Sequence, residues 1–137
     1  MKEINRDKLY EVERINNLKE LINRSAKLYG NKTAFIYKKH PKDSTYISHS
    51  YSNLKHDIEN LSTSLLNYNL LGKRIAIIAP NRYEWCVSYL AITTGGMIVV
   101  PLDKALPDNE IESSLIRSEV EAIIFDKKYL GIINKIK

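Results

Sequence analysis

Residues 72–111 read GKRIAIIAPNRYEWCVSYLAITTGGMIVVPLDKALPDNEI, and this stretch decides the fold. An apolar run from Ile75 to Ala79 is followed by a helical pattern from Asn81 to about Thr94. A second apolar run spans Met97 to Val100, and a second helical pattern spans Asp108 to Arg117. Just downstream, Ala122 to Phe125 forms a third apolar run. Near-continuous apolar strands joined by helices of this length belong to a parallel sheet covered on both faces, with right-handed crossovers. The expected fold class is therefore α/β, a partial doubly wound parallel sheet with flanking helices.

The first of these helices carries two apolar faces. Tyr83, Cys86, Val87, Leu90 and Ala91 form one stripe, while Trp85, Tyr89 and Ile92 extend it to the other side. Such a helix needs neighbours on more than one side. Asn81, with Glu84 three residues on, predicts a reciprocal cap at its start. Gly95 and Gly96 predict its end.

Upstream of Gly72 the periods differ. Leu18, Leu21, Ile22 and Leu28, with Gly30 after them, predict an amphipathic helix and its stop. Thr33–Tyr37 and Ser44–Ser50 are short and rich in Thr, Ile, Phe and Tyr, with a His40-Pro41-Lys42-Asp43 turn between them, and they predict a β-hairpin. Leu54, Ile58, Leu61, Leu65 and Tyr68 predict a long helix ending near Leu71 and Gly72. Ser50 is its expected cap, with Asn53 where a full capping box has Glu or Gln. Residues 1–17 are polar with scattered apolar positions and are expected to be an arm. Beyond the third strand, Tyr129, Ile132, Ile133 and Ile136 begin another helical pattern that reaches Lys137 without a stop signal. Residues 18–137 are thus expected to be part of a larger α/β subdomain, truncated at its carboxyl end.

Composition narrows the class of function. With 44% apolar and 27% charged residues, the 137-residue chain has the make-up of one folded domain. A lone cysteine, Cys86, excludes an internal disulfide and a two-cysteine zinc knuckle. No stretch approaches the roughly 20 apolar residues of a membrane span, and a cytoplasmic protein is expected. The net charge of +5 sits entirely in residues 1–40, which hold ten Lys and Arg against five Asp and Glu, whereas the remainder holds eleven of each. These bases are interleaved with acids, as on a solvated helix face, so no nucleic-acid partner is expected.

The chemistry-bearing residues do not assemble into a site. A phosphate-cradling loop follows a strand and opens a helix, but Gly95 and Gly96 do the reverse. His40, His49 and His56 fall in a polar hairpin and at a helix start, where solvated positions are expected. Glu110 and Glu112 lie two apart on a helix and diverge. Asp103 and Asp126 fall near the carboxyl ends of strands, where ligands of open sheets collect, yet turn and cap roles are the expected ones. Cys86, inside an apolar stripe, is expected to be an inert thiol. No catalytic, cofactor-binding or metal-binding residue is assigned.

Taken in order, these segments resemble the amino-terminal portion of the adenylate-forming, AMP-binding enzymes, most of all the bacterial acyl-CoA synthetases or long-chain fatty acid–CoA ligases. NKTAFIY at Asn31–Tyr37 is similar to the family's entry strand. SYSNL at Ser50–Leu54 is similar to its first core motif, with Asn53 departing from the usual Glu. GKRIAIIAPNRYEW at Gly72–Trp85 and AITTGGMIVVPLDKALPDNEI at Ala91–Ile111 resemble its strand-turn-helix and its second core motif. Both core motifs are scaffold: a cap, a helix stop, a strand and a proline exit.

The resemblance implies a two-step ligase. ATP with Mg2+ and a carboxylic acid, expected to be a fatty acid, form an acyl-adenylate, and the thiol of coenzyme A then takes the acyl group. It also implies that the family's phosphate loop, ribose-binding Asp and carboxy-terminal Lys lie downstream of residue 137. The 137 residues alone are then expected to be inactive, to bind none of these cofactors, and to self-associate through an exposed sheet or helix face. Two other readings remain open: an adenylation domain of a peptide synthetase that loads a carrier protein, and a stand-alone interaction module.

Overall fold

The computed structural model describes residues 13–136. Residues 1–12 of the expected arm lie outside the described residues. Its last part ties into the first helix, because Glu13 pairs with Arg24 at 3.0 Å and Asn17 accepts from the Glu20 amide as N-cap. That helix, α1 (Leu18–Tyr29), ends where Gly30 donates to the Ala26 carbonyl. The hairpin follows as β1 (Thr33–Tyr37) paired antiparallel with β2 (Ile47–Ser50). Strand pairing starts three residues later than the expected Ser44, since Tyr37 pairs with Ile47 and Lys38–Tyr46 form the connection.

Helix α2 (Tyr51–Asn67) begins at the expected cap. Ser50 Oγ accepts from the Asn53 amide at 3.1 Å, and the Ser50 hydroxyl donates to Asn53 Oδ1. Asn53 thus bonds the Ser50 side chain, whereas a Glu there would reach back to the backbone. Ser50→Ala is expected to lower stability by about 1 kcal/mol, read as a shifted urea midpoint at constant slope; an unchanged midpoint would show that the cap contributes nothing. The helix stops at Asn67, well before the expected Leu71 and Gly72. Asn69 takes φ 59°, a left-handed backbone that asparagine tolerates, so the chain turns there first.

From Gly72 onward the alternation is as expected: β3 (Arg74–Ile78), α3 (Tyr83–Thr94), β4 (Ile98–Pro101), α4 (Asp108–Arg117), β5 (Ala122–Phe125), a 3₁₀ turn (Lys127–Tyr129) and α5 (Leu130–Ile136). The sheet order is β4-β3-β5, and both pairings are parallel. Strand β3 is therefore central, and its residues alternate between two cores. Ile75 and Ile77 join Leu65 and Ile92 on the side of α2 and α3. Ala76 and Ile78 join Ile111, Leu115, Tyr129 and Ile133 on the side of α4 and α5. Helices on opposite faces make the sheet doubly wound.

Helix α3 uses both of its apolar faces. Tyr83, Val87 and Ala91 pack with Leu54 and Ile58 of α2 and with Phe35 of the hairpin. Ile92, Trp85 and Tyr89 turn toward the sheet-side cluster. The Asn81–Glu84 cap does not form. The helix starts at Tyr83 with Arg82 in the cap position and no side-chain cap bond. Glu84 is drawn instead to the guanidinium of Arg82.

Gly95 and Gly96 end α3 as expected, and the structure adds a second reason for the first of them. A Cβ on Gly95 would collide with Ser62 Oγ of α2 and would sit 2.8 Å from the Ala91 carbonyl oxygen. Helices α2 and α3 approach each other there so closely that only glycine fits.

Candidate functional site

Ligands of open α/β sheets collect beyond the carboxyl ends of the strands, at the point where successive connections leave for opposite faces. Here that point lies between β3, which leads to α3 on one face, and β5, which leads to α5 on the other. A cleft of about 190 Å³ opens there, lined by Ala79, Arg82, Trp85, Ser88, Phe125 and Asp126 among others.

Arg82 spans the cleft. Its Nε donates to Glu84 Oε2 at 2.8 Å, and a terminal nitrogen donates to Asp126 Oδ2 at 3.4 Å. The hydrogen bond to Glu84, with that carboxylate's charge, raises the Arg82 pKa further. Burial works against the charge on Glu84, but its backbone hydrogen bond and Arg82 outweigh it and hold the carboxyl below its usual range. Asp126 meanwhile accepts from the Lys128 amide at 3.1 Å and caps the 3₁₀ turn. Asp103 accepts from the Ala105 amide at 2.9 Å. Both aspartates thus take the turn and cap roles expected of them, while the Arg82–Glu84–Asp126 triangle was not anticipated. Its one local signal is the Arg-x-Glu spacing at a helix start; the reach to Asp126 crosses 44 positions.

A second cluster lies beside it. Tyr83 is buried, donates its hydroxyl to Asp57 of α2 at 2.7 Å, and meets Phe35 edge-on at 5.3 Å. His49 stacks on the Tyr83 ring at 3.7 Å, and the Tyr37 ring lies nearly parallel to His49 at 5.9 Å with its hydroxyl 3.4 Å from His49 Nε2. This corrects the solvated position expected for His49: it is half-buried, because the hairpin lays its ring against Tyr83 with Tyr37 alongside. His40 and His56 are exposed as expected, and so are Glu110 and Glu112. Burial, reinforced by the bond to Asp57, pushes the Tyr83 phenol above its usual range. The Cys86 thiol, half-buried along an adjoining cavity of about 640 Å³, is also pushed up by burial, as suits an unreactive thiol.

The native state holds the Tyr83 proton more tightly than the unfolded chain, where a tyrosine ionises near 10.0. Its contribution to stability is whole below that pH and is lost as pH rises beyond it. Between pH 10 and 12, wild-type stability is expected to fall more steeply than that of Tyr83→Phe; parallel curves in urea titrations across that range would contradict this.

Free amide hydrogens at a helix start after a strand make a ready site for phosphate. Glu84 brings a carboxylate to the first turn of α3, and the first turn of α4 carries Asp108 and Glu110. Among the described residues, no group of three or more His, Cys, Asp or Glu is placed to hold a metal ion. What the carboxyl edge does contain, one guanidinium held between two carboxylates and a stacked aromatic cluster, joins the hairpin, α2, α3 and β5 into one frame.

That frame has relatives. The family model for AMP-binding enzymes matches residues 22–136. The chain belongs to the AMP-binding enzyme family. This AMP-binding chain is 28% identical over 81 residues to a mitochondrial medium-chain acyl-CoA ligase of Bos taurus, covering 58% of this chain and 13% of that protein. It is 26% identical over 114 residues to a long-chain-fatty-acid–AMP ligase of Mycobacterium tuberculosis, covering 82% of this chain and 18% of that protein. It therefore spans less than a fifth of the length of these curated relatives. Among solved structures, an anthranilate CoA ligase in complex with anthranoyl-AMP superposes with a TM-score of 0.78 at 19% identity, over 88% of this chain and 22% of that one. The N-terminal domain of FACL13 from Mycobacterium tuberculosis superposes with a TM-score of 0.76 at 18% identity, over 88% of this chain and 30% of that one. These likenesses show that the fold is that of the N-terminal part of adenylate-forming enzymes. No helix among the described residues is long and apolar enough to cross a membrane.

Proposed function

We propose that residues 18–137 are the opening portion of the α/β subdomain of an ATP-dependent acyl-CoA synthetase. The enzyme joins a fatty acid to AMP in a magnesium-dependent step and then passes the acyl group to coenzyme A, in the cytoplasm. The observation that carries this is the family match over 22–136, joined to a doubly wound sheet that supports it strand by strand. The preference for a fatty acid rests on the medium- and long-chain acyl ligases among the relatives and on the VPLDKALPDNEI segment.

Within that enzyme the chain's role is architectural. Arg82 satisfies two carboxylates, Tyr83 is locked to Asp57, and Asp103 and Asp126 are engaged in turns. None of these groups is left to neutralise phosphate or to hold a carboxylate in line for attack. By themselves, the 137 residues are inactive.

Pyrophosphate release by the complete polypeptide in which these residues occur tests the proposal. Release is expected with ATP, magnesium and medium- or long-chain fatty acids, with acyl-CoA as the final product. Turnover with amino acids and transfer to a carrier-protein thiol would instead favour a peptide-synthetase adenylation domain. No adenylation of any carboxylic acid would overturn both readings.

A further inference from the structure

The β1–β2 hairpin is attached to the rest of the molecule differently from the other strands. It forms a two-stranded sheet of its own, separate from β4-β3-β5. Its ladder is short, and the register shifts between Thr33 and Phe35. No residue of either strand is buried, whereas Ile75–Ile78 of β3 are all 0% exposed. A lone two-stranded hairpin is at best marginally stable in water, so this one depends on what it docks against.

That docking converges on one ring. Among the described residues, no hydrogen bond or ion pair joins residues 33–49 to α2 or α3. The hold is apolar: Ala34, Phe35 and Tyr37 pack on the cluster that contains Leu54, Ile58 and Tyr83. Both aromatic contacts fall on Tyr83, Phe35 meeting it edge-on and His49 lying face-on at 3.7 Å with the planes 11° apart. Tyr83 is a fixed post, because its hydroxyl donates to Asp57. The base of the hairpin, by contrast, is tied through the backbone. Tyr51 donates to the Lys32 carbonyl at 3.1 Å, and Ser52 donates to the Gly30 carbonyl at 3.0 Å.

We propose that the hairpin is a strap across the head of α3 that undocks and melts as a unit above this base while the doubly wound sheet stays folded, with the His49–Tyr83 stack as its latch. Undocking gives up only the contacts around Tyr83 and leaves both cores of β3 intact, so it costs less than global unfolding. What it uncovers is the cavity of about 640 Å³, which has Phe35, Tyr37 and Lys38 as one wall and Arg82, Tyr83 and Cys86 among the residues of the other. Opening removes the first wall and frees the Cys86 thiol, half-buried in the closed form. The strap is independent of the acyl-ligase reading.

Amide hydrogen exchange of the 137-residue chain, followed by mass spectrometry at a series of low urea concentrations, tests this. The amides of β1 and β2 are expected to exchange together and at least about tenfold faster than those of β3, with a shallower urea dependence, because opening the strap exposes less surface than unfolding does. His49→Ala releases the latch and is expected to speed hairpin exchange about tenfold. His49→Phe keeps a flat ring against Tyr83 and is expected to stay close to wild type. Cys86, the only cysteine of the chain, reports the same event, and its reaction with a thiol reagent is expected to quicken in His49→Ala in step with hairpin exchange. Hairpin amides that share the rate and urea slope of β3 in the wild type would overturn the proposal, whether or not His49→Ala folds. Equal effects of alanine and phenylalanine at position 49, or a Cys86 rate indifferent to His49→Ala, would overturn it as well.

Discussion

Ile77→Ala is expected to remove about 3–4 kcal/mol of folding stability. Ile77 is 0% exposed at the middle of the central strand, with Pro101 of β4 on one side and Ile124 of β5 on the other. Its side chain belongs to the cluster shared with Leu65 and Ile92, so truncation empties a volume walled by two helices and three strands. Such walls collapse poorly, which places the cost toward the upper part of the usual range for buried aliphatics. Domains of this size have about 5–15 kcal/mol in total, so the variant keeps only part of its margin. The check is urea unfolding by circular dichroism, with Ile116→Ala as control. Ile116 is 65% exposed, and its loss is expected to change stability by no more than about 0.5 kcal/mol. Equal effects at the two positions would mean that β3 is not the centre of the core.

Gly95→Ala is expected to cost about 2–3 kcal/mol, because an added methyl forces α2 and α3 apart. This effect comes from space and not from backbone preference, since Gly95 has φ −85°, which any residue adopts. The added Cβ would meet Ser62 Oγ, Met97 Cε at 2.6 Å and the Ala91 carbonyl at 2.8 Å. The methionine tip can swing aside; the carbonyl cannot. Ser62→Ala combined with Gly95→Ala should recover part of the loss, and a double-mutant cycle by thermal or urea unfolding measures it. Strict additivity of the two substitutions would show that Ser62 is not the obstacle.

The two predictions also mark what was readable from the residues. Three apolar runs spaced by helical patterns specified a parallel doubly wound sheet, because full burial on both faces removes the polar alternation that a half-exposed strand would carry. The end of α1 followed from its own punctuation, the Gly30 stop. The end of α2 did not, since Asn69 accepts a left-handed turn before the glycine that would announce one. The start of α3 was misplaced because Glu84 prefers a charged partner at 2.8 Å to a reciprocal cap. Gly95 was legible as a helix stop, whereas its role as a contact point with Ser62 depends on residues 33 apart. The same holds at the carboxyl edge. Asp103 and Asp126 behave as short polar side chains do in any turn, but the stack of Tyr37, His49 and Tyr83 and the bond from Tyr83 to Asp57 arise only when the hairpin closes on α2 and α3. Local chemistry is written locally, and contacts between distant segments are not.

In the proposed reading, this chain builds the frame of an AMP-binding enzyme without itself handling the nucleotide. Carboxylates occupy the first turns of α3 (Glu84) and α4 (Asp108 and Glu110), where they repel a phosphate. Isothermal titration of the 137-residue chain with ATP and magnesium is the most direct measurement. Only the heat of dilution is expected at every ratio; a saturable binding curve would mean that these residues bind the nucleotide themselves.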